Sequence, residues 1–326
     1  MYATIIKVRY RMLVLAVTLM TTGVTTAVNA EGYPPVDVDM QARQVSQHVY
    51  YVQGVPRVAT ANAGFVSNAS FIVTDQGVVV FDTLGTPSLG ARLLEVIGEI
   101  TEQPIVRIYI SHYHADHMYG NQVFHDLGAE IIAPEGAVRY LSGDNAQRRL
   151  EERRISLKPW VNQSTRVVAP DRYLYAEEKF TLGGVSMRAV NVGSAHSDGD
   201  LILFVENDSV LLSGDIIFEN RIPFLGSSNT REWLEILDQL AESDATTIIP
   251  GHGPAADDPD KIVSLTRRYL SYVRQVMGAA IEEWIPFDEA YENADWSEFI
   301  EYPAFIEANR QNAYGVFLSM EQESLE

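Results

Sequence analysis

The sequence of 326 residues contains no cysteine. A disulfide framework is therefore excluded, and the fold must depend on a hydrophobic core, which a chain of this length can form. The same absence removes thiolates from the possible metal ligands and nucleophiles. Any metal site in this chain has to be built from histidine, carboxylate or other oxygen ligands.

Basic residues are also few, with 24 Lys and Arg against 44 Asp and Glu and a formal net charge of -20. Such a chain repels phosphate backbones, so we expect no nucleic-acid partner. The apolar fraction of 46% and the charged fraction of 21% are typical of an ordinary globular protein. Composition leaves the oligomeric state open.

Hydrophobic runs long enough to span a membrane are missing as well. The N-terminal apolar stretch, Met12–Met20, is shorter than the roughly 20 residues that a membrane helix needs. Basic residues precede it, and a small-x-small sequence at 28–30 follows, which is the pattern of a secretory signal peptide. We predict that residues 1–30 are removed on export, leaving a periplasmic or secreted protein with no stable membrane span. A retained membrane anchor is the alternative.

The rest of the chain alternates strand and helix patterns. β-Branched runs separated by Asp and Gly predict strands between residues 49 and 83, and again between residues 180 and 213. Thr86 followed by proline predicts a helix start, and Thr230 is predicted to cap a second helix. Two β-rich halves, each followed by helices, predict an α+β fold: a four-layer αββα sandwich with a helical C-terminal extension.

The extension is distinct in composition. The sequence beyond Pro259 has mainly helical periodicity, and residues 282–326 contain twelve acidic residues and a single basic one. We predict one main domain over residues 31–257 and an acidic helical extension over 258–326. The extension is expected to be solvated and to take no part in chemistry.

The most informative motif is His112-Tyr113-His114-Ala115-Asp116-His117, directly after the apolar strand pattern Ile105–Ile110. It contains three of the seven histidines in the chain. Imidazole and carboxylate together suit borderline divalent metals such as zinc. Because unpaired buried polar groups cost several kcal/mol each, roughly, these side chains at a strand end predict a metal site.

Three further candidate ligands also stand where strand patterns end: His196, Asp215 and His252. Strand ends converge on one edge of a sheet, so residues distant in sequence can meet there. A glycine close to each leaves room for the backbone to approach a metal. Asp198 and Asp200 are expected to fix the turn that follows His196.

Four motifs follow one another along the chain: His-x-His-x-Asp-His, the later His196, Ser-Gly-Asp and Gly-His-Gly. In this order they resemble the motifs of the metallo-β-lactamase superfamily, over about residues 45–255. The resemblance implies two zinc ions per chain and a metallo-β-lactamase-like domain, with the fold of that family, over residues 31–257. The first zinc would be held by His112, His114 and His196, the second by Asp116, His117 and His252, and Asp215 would bridge both. Asp82 matches the family's buried aspartate, which supports the ligand loop from behind.

The resemblance also implies a mechanism. A hydroxide bridging the two metals would attack a carbonyl-like centre while a metal stabilises the oxyanion. Asp116, a ligand close to that hydroxide, is the predicted catalytic residue, which orients it and takes part in proton transfer.

Asp215 and the missing cysteine narrow the family branch. Lactamases with a cysteine at that position are excluded by residue type. The bridging aspartate resembles the glyoxalase II, lactonase and alkylsulfatase branches, although the acidic tail is unlike the basic glutathione-binding tail of glyoxalase II. Predicted export and the C-terminal extension are similar to periplasmic metallohydrolases associated with sulfur oxidation and quinoprotein systems.

The sequence therefore predicts an exported dinuclear zinc hydrolase acting on an ester, thioester, lactone or amide-like bond of a small molecule. Weak or promiscuous β-lactam hydrolysis is one alternative, and a non-catalytic zinc-binding periplasmic protein is another. Candidate substrate contacts are Phe65, in the loop 54–70, and Asn220 and Arg221, in the loop 220–224; either loop is equally compatible with a plain surface role. The substrate and the metal used in vivo stay open.

Overall fold

The computed structural model describes residues 32–226 and 228–325. The predicted signal peptide, residues 1–30, lies outside this range. Among the described residues, no helix combines the length and the hydropathy that a bilayer crossing requires.

The first sheet follows the order of the chain. Its seven strands are β1 (Arg43–Gln44), β2 (Val49–Val52), β3 (Ala69–Thr74), β4 (Gly77–Phe81), β5 (Ile105–Tyr109), β6 (Glu130–Pro134) and β7 (Arg172–Leu174). Strands β1 to β4 pair antiparallel, whereas β4 to β7 pair parallel. The parallel half directs several strand ends to one edge, and the histidine motif starts there.

The second sheet has the order β12-β11-β10-β9-β8. Its strands are β8 (Glu177–Leu182), β9 (Val185–Gly193), β10 (Asp200–Val205), β11 (Val210–Phe218) and β12 (Thr247–His252). Strands β8 to β11 pair antiparallel, and β12 lies parallel to β11. This sheet carries the remaining predicted ligands.

The two sheets share one apolar core. Val79 and Phe81 of β4 pack in the same cluster as Met187 of β9 and Leu203 of β10. Neighbouring residues of β4, such as Val80, point to the opposite face and are also fully buried, so both faces of this strand are covered. The α+β sandwich predicted from the sequence is confirmed.

The described part of the chain contains nine α-helices. They are α1 (Pro87–Gly98), α2 (Ala115–Met118), α3 (Asn121–His125), α4 (Ala137–Ser142), α5 (Asp144–Ser156), α6 (Thr230–Ala241), α7 (Pro259–Glu282), α8 (Phe287–Asn293) and α9 (Phe305–Glu323). Thr86 caps α1 as predicted, because its side chain accepts a hydrogen bond from the Leu89 amide. The cap of α6 is Asn229, which accepts from the Glu232 amide; the prediction of Thr230 was wrong by one residue.

The C-terminal helices have one buried apolar side. Tyr269 of α7, Phe299 in the segment before α9 and Ala308 of α9 belong to the core cluster that also contains Trp233 of α6 and Ile216 of β11. Apolar residues recur at helical spacing in this region and form the buried side, whereas the acidic residues occupy other positions. The extension is therefore packed on the sheet that carries the candidate site.

Candidate metal centre

The histidine motif begins where β5 ends and continues into α2. His112 and His114 are two residues apart in the non-helical segment before α2, and His114 has extended backbone angles. The chain then turns into α2, whose first residues include Asp116 and His117. His112 and His117 are fully buried, with 0% of each side chain exposed. One short segment thus supplies four polar side chains to the interior.

The other predicted ligands come from the second sheet. His196 lies in the loop between β9 and β10, Asp215 lies in β11, and His252 is the last residue of β12. All three are buried. Because β11 and β12 are adjacent parallel strands, Asp215 and His252 reach the same edge of the sheet.

Two glycines make this close approach possible. Gly214 has φ +53°, and a Cβ there would lie 2.4 Å from the Cβ of Ser111. A Cβ at Gly251 would lie 2.0 Å from Oδ1 of Asp215. Both contacts are far inside van der Waals distance, so a side chain at either position would displace the cluster.

Asp215 lies in the middle of the cluster. Its Oδ2 is 3.4 Å from Nε2 of His196, 3.4 Å from Nε2 of His252 and 3.8 Å from Nε2 of His112. Its Oδ1 is 3.2 Å from Nε2 of His117. One carboxylate therefore faces imidazoles of both predicted ligand sets, as a bridging group would.

The other donors lie on either side of Asp215. Nδ1 of His114 is 3.0 Å from Nε2 of His196. Oδ2 of Asp116 is 3.8 Å from Nε2 of His117 and 3.5 Å from Nε2 of His252. The donor atoms of His112, His114 and His196 lie within 4.8 Å of one another, as do those of Asp116, His117 and His252.

Several buried donor atoms in this cluster have no hydrogen-bond partner within the described part of the chain. They include Nε2 of His112, Nε2 of His117 and Oδ1 of Asp215. The last two are 3.2 Å apart but not aligned for a hydrogen bond. A buried unsatisfied polar atom costs about 1–3 kcal/mol, and imidazole and carboxylate donors suit zinc-like cations. The donor set thus fits a metal in both number and chemistry.

Burial keeps three of the imidazoles unprotonated. It lowers the pKa of His112 well below the ordinary value. It also lowers the pKa of His114 to about 4 and that of His196 to about 3. Near neutral pH these rings have a free lone pair, which metal binding requires.

The charges of the remaining groups are coupled. Burial raises the pKa of Asp116 and Asp215, but His117 and His252 outweigh it and hold both pKa values below their usual range. Burial opposes a proton on His117, yet Asp215 and Asp82 together raise the pKa of His117 well above its ordinary value. Without a metal, a proton on His117 balances the carboxylates.

Asp82 lies behind the proposed ligands His112 and His117, and its supporting role stays a prediction. It is 1% exposed and has φ +65°. Its Oδ1 accepts from the Ser111 amide at 2.7 Å, and its Oδ2 accepts from the Ser111 hydroxyl at 2.8 Å and from Nδ1 of His117 at 2.8 Å. Ser111 Oγ in turn lies 2.9 Å from Nδ1 of His112. Since the hydroxyl proton goes to Asp82, His112 must carry its own proton on Nδ1, which leaves Nε2 free.

The loop carrying His196 is held by Asp200, as expected, whereas the other carboxylate expected to fix this turn, Asp198, pairs with Arg139 at 2.8 Å. Asp200 accepts from the amides of Ala195 and Ser197 at 3.2 and 2.9 Å, and from the Ser197 hydroxyl at 3.0 Å. Burial raises the pKa of Asp200 to about 7. The ring of His196 also packs against Trp233 in a T-shaped arrangement, with ring centres 5.3 Å apart.

His252 is enclosed on its Nδ1 side. Nδ1 lies 2.7 Å from the carbonyl oxygen of Val66, which can only accept. The ring of Phe218 stacks on His252 at 5.1 Å and 10°. Nη1 of Arg221 lies 3.0 Å from the same Nδ1.

The three predicted substrate contacts have different environments. Phe65 is 1% exposed and Arg221 is 3% exposed, whereas Asn220 is exposed and has φ +60°. Arg221 lies against the Nδ1 edge of His252, opposite the Nε2 edge that faces the carboxylates. A substrate contact for any of the three stays a prediction.

Sequence reasoning missed two residues that hold the site together. Ser111 orients His112, and its position directly before the motif was an available signal. Asn68 donates to the carbonyl oxygens of Pro250 and Gly253 at 2.8 and 2.7 Å, which fixes the end of β12. No local pattern marks Asn68, because its partners are about 180 residues away in sequence.

The sequence profile described as the Metallo-beta-lactamase superfamily matches residues 62–252, which is more than half of the chain and includes every proposed ligand. The chain belongs to the metallo-β-lactamase superfamily. It is accordingly a metal-dependent hydrolase of that superfamily, with a candidate metal site built from histidine and aspartate.

Its relatives are named for different activities. The chain is 22% identical over 210 residues to metallo-beta-lactamase IND-1 from Chryseobacterium indologenes, covering 63% of this chain and 77% of that protein. It is 20% identical over 240 residues to a linear primary-alkylsulfatase from a Pseudomonas species, covering 62% of this chain but only 45% of the relative.

Solved structures show the same fold. The sec-alkylsulfatase Pisa1 from Pseudomonas sp. matches with a TM-score of 0.66 at 16% identity, over 85% of this chain and 50% of that one. A metallo-beta-lactamase from Pontibacter korlensis matches with a TM-score of 0.55 at 19% identity, over 71% of this chain and 99% of that one. The chain thus spans about half the length of the alkylsulfatases that it resembles.

Proposed function

We propose that this protein is an exported dinuclear zinc hydrolase that cleaves an ester, thioester, lactone or amide-like bond of a small molecule. The observation that supports it best is the position of Asp215 between two groups of donors, one from His112, His114 and His196 and one from Asp116, His117 and His252. We assign the first zinc to the first group, the second zinc to the second, and a bridging role to Asp215.

Zinc ions bound in this way supply Lewis acidity and bring the pKa of a coordinated water near neutrality. The chain contributes orientation and charge. Asp116 has the most open side chain among the proposed carboxylate ligands, 20% exposed against 5% for Asp215. Its backbone is held by the Ser67 hydroxyl, which donates to the Asp116 carbonyl oxygen at 2.5 Å. A fixed, ionised and accessible carboxylate is suited to orient water and to accept a proton at a side-chain oxygen.

Replacing Asp116 with asparagine tests this role. We expect Asp116→Asn to retain bound zinc and to lose about 100-fold or more in kcat, because a positioned proton acceptor contributes on this scale. Asp126→Asn is the matched control, since Asp126 is an exposed carboxylate outside the cluster. Full activity in Asp116→Asn, or in chelator-treated protein shown to be metal-free, would contradict the proposal.

To identify the substrate class, turnover should be measured with a panel of nitrocefin, a thioester, a lactone, a phosphodiester and a sulfate ester. The similarity to IND-1 favours β-lactam hydrolysis as a second candidate, and the similarity to alkylsulfatases is the reason to include sulfate esters. Two zinc ions per chain with no turnover of the whole panel would favour a non-catalytic zinc-binding protein. Phosphodiester turnover alone would favour a nuclease, which the net charge of -20 opposes.

The domain organisation and export are part of the proposal. Residues 1–30 are assigned as a signal peptide, 31–257 as the hydrolase domain and 258–326 as the acidic helical extension, and the mature protein is placed in the periplasm or outside the cell. Amino-terminal sequencing of protein from the periplasmic fraction should begin near residue 31. Protein that stays in the membrane fraction with an intact N-terminus would support the retained anchor instead.

A further inference from the structure

The segment after β11 is held by the C-terminal helix α9. Asn312 of α9 is 2% exposed. Its Nδ2 donates to the carbonyl oxygen of Pro223 at 2.7 Å, and its Oδ1 accepts from the Leu225 amide at 2.8 Å. One buried side chain thus binds both a donor and an acceptor of the 219–226 loop, which fixes the loop backbone.

This loop places Arg221 against His252. Nη1 of Arg221 donates to the carbonyl oxygen of Arg57 at 3.0 Å and lies 3.0 Å from Nδ1 of His252. Burial lowers the pKa of Arg221, and the nearby Asp116 and Asp215 oppose this effect. The guanidinium lies in a fixed position against the Nδ1 edge of the His252 ring. Arg221 is two residues before Pro223, whose carbonyl oxygen accepts from Asn312.

A second contact comes from α7. The hydroxyl of Thr266, which is fully buried, accepts from the Phe218 amide at 2.9 Å and donates to the Phe218 carbonyl at 3.1 Å. Phe218 is the residue whose ring stacks on His252. The face of the imidazole is thus set by α7 and its Nδ1 edge by α9.

We propose that the C-terminal helices are part of the metal centre, and that Thr266 and Asn312 are positioning residues that fix the His252 ring for the second metal ion. This inference rests on the proposed dinuclear site. The contact of His252 Nδ1 with the Val66 carbonyl oxygen fixes one point of the ring and leaves it free to tilt. Phe218 and Arg221 restrict this tilt, so Nε2 of His252 is oriented towards the second metal position before a metal binds.

Zinc affinity of the purified full chain, measured by competition with a chromogenic chelator, tests this without any substrate. We expect Asn312→Ala to weaken the second ion by about tenfold or more and to leave the first within about twofold. Asn309→Ala is the matched control. Asn309 is also in α9 and 1% exposed, and its side chain binds Tyr269 and Tyr291. The Tyr269 hydroxyl also accepts from Asn312 at 2.9 Å, so this variant disturbs the same polar cluster, but within the described residues the Asn309 side chain has no hydrogen bond to the 219–226 loop.

A second pair of variants covers the case in which Asn312→Ala does not fold. Thr266→Val removes the hydroxyl that holds Phe218, whereas Thr266→Ser keeps it. We expect second-ion affinity to fall about tenfold in the valine variant and to return close to wild type in the serine variant. The visible spectrum of the cobalt-substituted protein should change with the same pattern, because it reports ligand geometry.

Second-ion affinities that stay at the wild-type value in both Asn312→Ala and Thr266→Val would overturn the inference and leave the dinuclear proposal standing. An equal loss in Asn309→Ala, or a Thr266→Ser protein as weak as Thr266→Val, would show a general packing effect and would also overturn it. Wild-type protein that binds only one ion would overturn both proposals.

Discussion

Ser111→Ala removes one hydroxyl from the candidate metal centre and leaves every proposed ligand in place. The hydroxyl donates to Asp82 at 2.8 Å and lies 2.9 Å from Nδ1 of His112. His117 keeps its own contact with Asp82 at 2.8 Å. The change therefore acts on one histidine of the first ligand set and spares the second.

The magnitude follows from these two contacts. Each hydrogen bond contributes about 0.5–1.5 kcal/mol net, so the free energy of unfolding of the metal-free protein should fall by about 1–3 kcal/mol. The proton on His112 Nδ1 then has no acceptor, and moving it to Nε2 relieves that cost. A proton on Nε2 competes directly with the first ion, so we expect its affinity to fall about 10- to 100-fold.

Chelator competition with zinc should show this loss for the first ion and a change within about twofold for the second. Histidine ring ¹⁵N spectra of the metal-free variant should show the proton of His112 on Nε2. Ser213→Ala is the control, since this fully buried hydroxyl contacts only the backbone of Gly214 and Ile249 in the described structure. The reasoning is refuted if Ser111→Ala binds both ions like wild type, or weakens both equally.

Two further predictions concern the bridging position and pH. Gly251→Ala would place a Cβ 2.0 Å from Asp215 Oδ1 and 2.6 Å from the Gly214 carbonyl carbon; we expect fewer than two zinc ions by elemental analysis and about 1–3 kcal/mol lower stability, and unchanged zinc content would contradict this. Because Asp215 and Asp82 raise the pKa of His117, the metal-free protein holds a proton there that the unfolded chain loses near pH 6.5. Metal uptake should therefore release about one proton at neutral pH, and metal affinity should increase with pH. In the metal-free protein, the stabilising interaction of protonated His117 with Asp215 and Asp82 should be lost as the pH rises through the raised pKa of His117. Calorimetry in buffers of different ionisation enthalpy measures the release, and zero protons would contradict the prediction.

The sequence alone was enough to predict the fold and the proposed ligands, because both depend on local patterns. Alternating apolar residues predict strands from the local sequence alone. The His-x-His-x-Asp-His segment contains four proposed ligands within six residues. The order of the later segments around His196, Asp215 and His252 added the family resemblance. The structure brings these side chains together at one edge of the two sheets.

Only the tertiary structure decided what surrounds those ligands. Asn68 and Asn312 are single polar residues with no motif, and their partners lie far away in the sequence. The C-terminal helices were expected to be solvated because their composition is acidic, yet their apolar side is packed against the second sheet. The charge of Arg221 suggested an anion-binding residue. The folded structure instead buries Arg221 against the Nδ1 edge of His252, which the sequence could not show. Ligand type is a local property of sequence, whereas the orientation of each imidazole depends on groups that only folding brings within hydrogen-bond distance.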